Sequence, residues 1–289
     1  MNPQVSIMLP VFNGMPLLKA SIESILRQTY TNWQCIICDD GSTDGTWEYL
    51  QDLLKEETTN HCDSNIEPRF ILLKNDTNRG RGYSRQRILE ASTGTYICML
   101  DAGDLMHPER IRLQVDYLQS HPDVGLVSTA MISFGLHTDR LIYRGLGDGG
   151  LHTFDGVNFP CFAPSMFRNP QVDTCRFHEQ MNFSEDQYFL TGYFRQQPTF
   201  YSMPDALYYY SEFDSVTKSK IRLSYLQNIR IYHHQHMPLV ALTFLLKYLY
   251  SILIFPFLDT EDIVARRGTP ATPEERDRFN LYGRTLLYI

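Results

Sequence analysis

At 289 residues, 43% hydrophobic and 13% aromatic, the chain can bury a large core as one large domain or one and a half. Its net charge of −7 argues against nucleic acid as a partner. Six dispersed cysteines and a Met1-Asn2-Pro3 start without a signal peptide fit a reduced cytosol better than a disulfide framework.

The first expected strand, Val5 to Leu9, is too short to span a membrane and ends in Pro10-Val11-Phe12-Asn13-Gly14. A helix follows: Pro16 suits a first turn, and Leu18, Ile22, Ile25 and Leu26 recur on one helical face. The second strand, Gln34 to Cys38, ends on Asp39 and Asp40, and the turn after it, Gly41 to Thr46, can cap a helix starting near Trp47. Cys35 and Cys38 form a CxxC, but their odd separation on a strand points them to opposite faces, as core thiols rather than a redox or zinc pair. A third strand, Arg69 to Leu73, leads through Asn78-Arg79-Gly80-Arg81-Gly82 into a helix carrying Ser84 and Arg85. The fourth begins at Thr95 and runs into Asp101 and Asp104, held in a turn by Ala102 and Gly103. Taken alone, that turn reads more readily as an Asp-rich turn with Asp104 capping the next helix.

Four strands, each followed by a helix, define an α/β fold with a mostly parallel central sheet flanked by helices, because parallel pairs need long crossovers. Ligands then collect at the carboxyl ends of the strands, and two hard oxygen donors there suit a divalent cation carrying phosphate. That edge gathers Pro10, Phe12, Asn13, Asp39, Asp40, Arg79, Arg85, Asp101 and Asp104. The first strand is not followed by GxGxxG or by GxxxxGK[ST], so dinucleotide oxidoreductases and P-loop phosphoryl transfer lack their phosphate cradles.

The motifs LPVFNG (Leu9 to Gly14), CDDGSTDGT (Cys38 to Thr46), NRGRGYSRQR (Asn78 to Arg87) and LDAGD (Leu100 to Asp104) resemble, in order and spacing, those of family-two glycosyltransferases with a GT-A nucleotide-diphospho-sugar transferase fold. APSMFR (Ala163 to Arg168) and FSEDQYF (Phe183 to Phe189) resemble that family's acceptor-side segment and its Glu-Asp motif. The resemblance implies that Asp40 reads the uracil edge, that Pro10 and Phe12 lie against the base with Asn13 beside them, and that Asp39 braces the turn. Arg79 and Arg85 fall near the nucleotide. Asp101 and Asp104 match the outer acids of an Asp-x-Asp-Asp metal motif, whose usual middle acid is replaced by Gly103, so either outer acid holds the Mn2+ or Mg2+ ion or metal dependence is weaker. Asp186 matches the base that takes the acceptor's proton, and Glu185 the neighbour that holds or tunes it. The plainer alternative makes Ser184-Glu185-Asp186 an N-terminal helix cap.

The implied activity is inverting transfer of a sugar from a nucleotide-diphosphate donor, a UDP-sugar, to a saccharide or lipid-linked saccharide in cell-surface glycan synthesis. A catalytically silent domain that binds nucleotide sugar or scaffolds a glycan-assembly complex is the alternative. The expected organisation is a GT-A domain over 1–215, with a nucleotide-binding half (1–106) and an acceptor-side half (107–215), then a helical extension over 216–289.

Residues 145–156 read as a mobile loop over the acceptor side or an ordinary long connection. His233, His234 and His236 are close enough to touch phosphate or a metal, though such clusters are more often exposed and idle. Pro238 to Leu258 is strongly apolar, with Lys247 as its one formal charge, and Lys218, Lys220, Arg222 and Arg230 lie upstream. Its length is borderline for a span; in-plane attachment to the cytoplasmic face of a membrane is the expectation, ahead of packing on the catalytic domain or in a dimer interface.

Overall fold

A computed structural model describes residues 2–288 except 61–68, 147, 156–158, 171–174 and 182. The N-terminal part comprises β1 (Val5–Val11), α1 (Leu18–Leu26), β2 (Trp33–Asp39), α2 (Thr46–Asn60), β3 (Phe70–Lys74), α3 (Arg81–Ala91) and β4 (Tyr96–Met99). The middle part follows with β5 (Leu105–Met106), α4 (Arg110–Ser120), β6 (Leu126–Gly135), β7 (Thr138–Arg144), β8 (Leu151–Thr153), β9 (Ser165–Arg168), α5 (Glu185–Tyr193) and β10 (Thr199–Ser211). The C-terminal part contains α6 (Glu212–Ser215), α7 (Lys218–His234), α8 (Pro238–Ile254), α9 (Thr260–Ala265), β11 (Thr269–Pro270) and α10 (Pro273–Tyr282).

All seven residues of β1 are buried because the strand is central, paired in parallel with β2 on one side and β4 on the other. Its alternation sorts the core onto two faces. Val5, Ile7, Leu9 and Val11 pack with Leu18, Ile22 and Ile25 of α1, whereas Met8 joins Ile88 and Leu89 of α3 and Phe189 and Tyr193 of α5. Cys35 lies in the first cluster and Cys38 in the second, so the CxxC is split across the sheet as the strand period requires. The five described cysteines are free thiols, and Cys62 lies outside the described residues.

β1 continues through Pro10 to Val11, two residues beyond the expected end. Even-numbered residues of β1 face β4, as the bond from Leu100 N to Met8 O shows, and β4 pairing stops at Met8–Met99. The missing N–H of Pro10 therefore points where no ladder partner remains, which is why proline is tolerated.

The parallel order β3-β2-β1-β4 is extended by antiparallel β9, and the sheet continues through β6 and β7 to β11. β10 lies parallel to β6 and also pairs antiparallel with β5 and β8. Parallel pairing thus dominates the N-terminal part, while the middle part is mixed. Part of the expected 145–156 loop is strand: Leu151–Thr153 pair with Tyr201–Thr199.

α7 and α8 form a helical hairpin, with Arg222 Nη2 donating to Ser251 O at 2.8 Å. α8 buries only Val240, Ala241 and Ser251, and turns Leu239, Leu242, Leu246, Leu249 and Leu253 to solvent along one face. Thus it is not a helix covered by its own domain. The segment after it returns to the sheet, where Thr269 and Pro270 of β11 pair with Tyr143 and Ile142 of β7. His233, His234 and His236 are exposed around the α7–α8 connection, and among the described residues no group of three or more His, Cys, Asp or Glu side chains could hold a metal.

Candidate active site

The loops following β1, β2, β3 and β4 meet at one sheet edge around a cleft of about 790 Å³. Pro10, Phe12, Asn13, Asp40, Asp101 and Gly103 line it, joined by Asn78, Gly80, Arg81, Ser84, Phe183 and Lys220. Phe12 is 47% exposed, an apolar ring presented to the opening.

The first two loops brace each other. Asn13 N donates to Ser42 Oγ at 2.8 Å, Thr43 N donates to Asn13 Oδ1 at 2.9 Å, and Met15 N donates to Asp44 Oδ2 at 3.0 Å. Asn13 holds φ at +50°, a region that asparagine tolerates better than most residues. Asp39 is fully buried and accepts from Ser42 N at 3.1 Å, while its Oδ2 lacks a hydrogen-bond partner. It does not line the cleft.

Asp40 does line it. Its Oδ1 accepts from Asn75 Nδ2 (2.6 Å) and Arg79 N (2.9 Å), and its Oδ2 from Gly80 N (2.8 Å). A carboxylate offers about four lone-pair sites, so one position on Oδ2 stays open for a ligand N–H. Arg79 contributes its backbone here; its guanidinium stacks 4.3 Å over Tyr83.

Arg85 is the hub of the site. Its Nη2 donates to Asp101 Oδ1 at 2.7 Å and its Nη1 to Glu185 Oε1 at 2.8 Å. The Arg85 and Glu185 side chains are 3% and 2% exposed, and Asp101 retains 25%. Burial pushes the Asp101 carboxyl up, but Arg85 and Arg81 outweigh it and hold the group below its ordinary value. Arg81, 3.7 Å from Glu185 and 56% exposed, is a cation in the cleft that the motif reading did not single out. Its signal lay within NRGRGYSR, where a second arginine opens the helix. Lys220, read from sequence only as part of a basic flank, also reaches the cleft.

The two acids of the LDAGD turn separate. Asp104 is buried, and its carboxylate accepts from Tyr208 Oη (2.6 Å) and Ser211 N (2.8 Å). Burial and the charge of Asp101 push it well above the usual carboxylate range. Asp104 therefore anchors β10 to the turn, and Asp101 is the acid of the pair that faces the cleft. Gly103 adopts φ +96°, which accounts for glycine where the resembled motif has an acid.

Glu185 and Asp186 open α5. The cap reading fails at Ser184, which has φ +58° and makes no side-chain cap bond; its Oγ lies 3.1 Å from Ser224 Oγ on α7. Asp186 accepts from Gln187 N at 2.8 Å. Burial, then the adjacent Glu185, push Asp186 up to about 6 against the pull of Arg85 and Arg81. Acids with such shifts cluster at functional sites.

A parallel four-stranded part with acids at its strand ends, extended by mixed strands, defines the GT-A class of α/β folds. A family model, "Glycosyl transferase family 2", matches residues 6–170, and the chain belongs to that family. It is 36% identical over 144 residues to "Putative glycosyltransferase EpsE" of Bacillus subtilis (strain 168), covering 49% of each chain. Over 114 residues it is 32% identical to "UDP-Glc:alpha-D-GlcNAc-diphosphoundecaprenol beta-1,3-glucosyltransferase WfgD" of Escherichia coli, covering 39% of this chain and 40% of the relative. The match thus spans about half or less of these relatives' length. In fold it resembles S. aureus TarS 1-349 (TM-score 0.64, 16% identity, 91% of this chain and 77% of that one). It also resembles the mannosyltransferase PcManGT from Pyrobaculum calidifontis in complex with GDP-Man and Mn2+ (TM-score 0.61, 14% identity, 100% and 88%).

Proposed function

We propose that this chain is an inverting glycosyltransferase that moves a sugar from a UDP-sugar to a saccharide or lipid-linked saccharide acceptor in cell-surface glycan synthesis. The observation that carries the reading is Arg85 bonded at once to the cleft acid Asp101 and to Glu185, next to an acid raised to about 6. This joins the donor side to the acceptor side through one buried guanidinium. Phe12 and Pro10 form the wall for the base, and the open position on Asp40 Oδ2 accepts the uracil N–H. Arg81 faces the diphosphate and offsets charge on the departing UDP. Asp186 removes the acceptor hydroxyl proton during attack on the anomeric carbon, and a pKa near the working pH favours that role. Glu185, pinned by Arg85, raises and positions its neighbour.

The donor set also fits a divalent cation of the Mg2+ or Mn2+ type. Both oxygens of Asp104 are engaged, and Arg85 takes Asp101 Oδ1, leaving Asp101 Oδ2 as the protein ligand on the cleft side. One carboxylate with substrate phosphates and water is a usual environment for such ions. When bound, the ion supplies charge stabilisation at the diphosphate.

The lipid-linked class of acceptor is supported by the E. coli relative, whose name gives a diphosphoundecaprenol as its substrate. It is also supported by α8 with the short turn that follows it, a 20-residue helical stretch over Pro238–Phe257 whose 18-residue window has a mean hydropathy of 1.9. Pairing of β11 with β7 favours a helix lying in the plane of a membrane's cytoplasmic face over one crossing it, because the chain that leaves α8 returns to the sheet. Donor hydrolysis is the direct test: the full chain with UDP-sugars and Mn2+ should slowly release UDP without acceptor. A silent nucleotide-sugar-binding domain would bind UDP and release none.

A further inference from the structure

A second cavity, of about 400 Å³, lies between α7, α8 and α9, away from the donor cleft. Its walls are apolar: Ile221 and Tyr225 of α7, Leu246 and Tyr250 of α8, and Ile263 of α9. Three cations, Lys247, Arg266 and Arg267, also line it. Among the described residues neither Lys247 nor Arg266 has a carboxylate partner, whereas Arg267 gives one Nη to Glu212 and is otherwise 41% exposed. An apolar groove with unpaired cations on its wall suits a molecule that is a hydrocarbon at one end and an anion at the other.

Two connections tie this groove to the chemistry. Lys220 lines the donor cleft, while the next residue, Ile221, lines the groove, so the first turn of α7 separates the two. Arg267 is bonded to Glu212, the residue after Ser211, whose N–H holds Asp104. The Tyr210 hydroxyl, pushed up first by burial, also feels the charges of Asp104, Glu212, Asp101 and Arg267. An anionic head at Arg266 and Arg267 would thus sit on the active-site side of the groove, with its chain running beside the exposed face of α8.

We propose that the α7–α8–α9 groove is the lipid subsite of the acceptor, holding the first isoprenoid units of a lipid diphosphate while Lys247, Arg266 and Arg267 hold its phosphates. This rests on the lipid-linked acceptor reading above. The occupant is the acceptor's own lipid rather than a bilayer phospholipid, because Arg267 is bonded to Glu212, next to the strand end whose Ser211 N–H holds Asp104.

The test is calorimetry of the full chain with farnesyl diphosphate. Expected is binding that saturating UDP with Mn2+ does not displace, with inorganic pyrophosphate and farnesol each at least about tenfold weaker. The double variant Lys247→Gln/Arg266→Gln should weaken farnesyl diphosphate about tenfold or more while UDP affinity and Tm stay at parental values. Leu246→Trp, which fills the groove without removing charge, should do the same. Displacement by UDP would place the probe in the donor cleft, and displacement by phosphatidylglycerol vesicles would assign the groove to bilayer lipid; either overturns the proposal, as does parental affinity in both variants. Donor hydrolysis is scored on the same preparation. Hydrolysis without farnesyl diphosphate binding overturns the groove alone, and binding without hydrolysis overturns the transferase reading alone.

Discussion

Arg85 Nη1 lies 2.8 Å from Glu185 Oε1, and the two residues are 100 positions apart in sequence. The pair joins α3, after the third strand, to the start of α5. Removing one member of a buried pair leaves the other charge uncompensated, at a cost of about 3–5 kcal/mol. Arg85→Met should therefore lower unfolding stability by about that amount in urea titration and abolish donor hydrolysis. Arg85→Lys, which cannot bridge Asp101 and Glu185 with a planar fork, should fall between the two. Parental stability in Arg85→Met would show that the bridge carries little energy.

Asp186 gives a pH signature with two opposite signs. The base form grows as pH rises through about 6, so donor turnover with acceptor should climb across that range and level above it. Asp186→Asn should flatten the limb and cut transfer by about 10² to 10⁴ with UDP binding unchanged. Stability runs the other way: an acid whose folded pKa is raised from 3.8 to about 6 loses its contribution as pH rises through that window. Asp186→Asn should therefore melt at or above the parental temperature at pH 8. A large drop in Tm would make Asp186 a structural acid.

The LDAGD acids are expected to behave differently. Asp101→Asn should remove the part of UDP-induced thermal stabilisation that Mn2+ adds and EDTA abolishes. Asp104→Asn should leave that part intact, because its carboxyl is engaged with Tyr208 and Ser211. Equal loss in both variants would return Asp104 to the metal.

Restoring the motif's middle acid tests the role of Gly103. At φ +96° a side chain is strained by about 1–3 kcal/mol, so Gly103→Asp should lower Tm without raising Mn2+ affinity. Tighter Mn2+ binding would show that position 103 faces the ion.

Leu249 and Leu253 of α8 are exposed and, unlike Leu246 and Tyr250 on the same side of the helix, do not line the groove. Leu249→Asp with Leu253→Asp alters only exposed positions and should move the full chain from the membrane fraction to the soluble one with Tm unchanged. Retention in the membrane fraction would assign attachment to another surface.

Much of the nucleotide half was legible because it obeys local rules. A two-residue period wrote β1 and β2, a helical period wrote α1, and strand ends rich in acids and glycine marked the ligand edge before any contact was known. The same period separated Cys35 from Cys38. The motif resemblance separated Asp40 from Asp39, but the sequence could not decide which of Asp101 and Asp104 faces the cleft, since the two are chemically alike and differ only in what surrounds them. Tyr208 and Ser211, more than 100 positions from Asp104, take that carboxylate out of play. Arg85 does the reverse for Asp101 and Glu185, drawing together groups from distant segments through one buried cation. The surroundings of α8 were likewise tertiary: its composition fits a span, a core helix or an interfacial one, and only the structure shows that it is largely exposed and that the chain after it returns to pair β11 with β7.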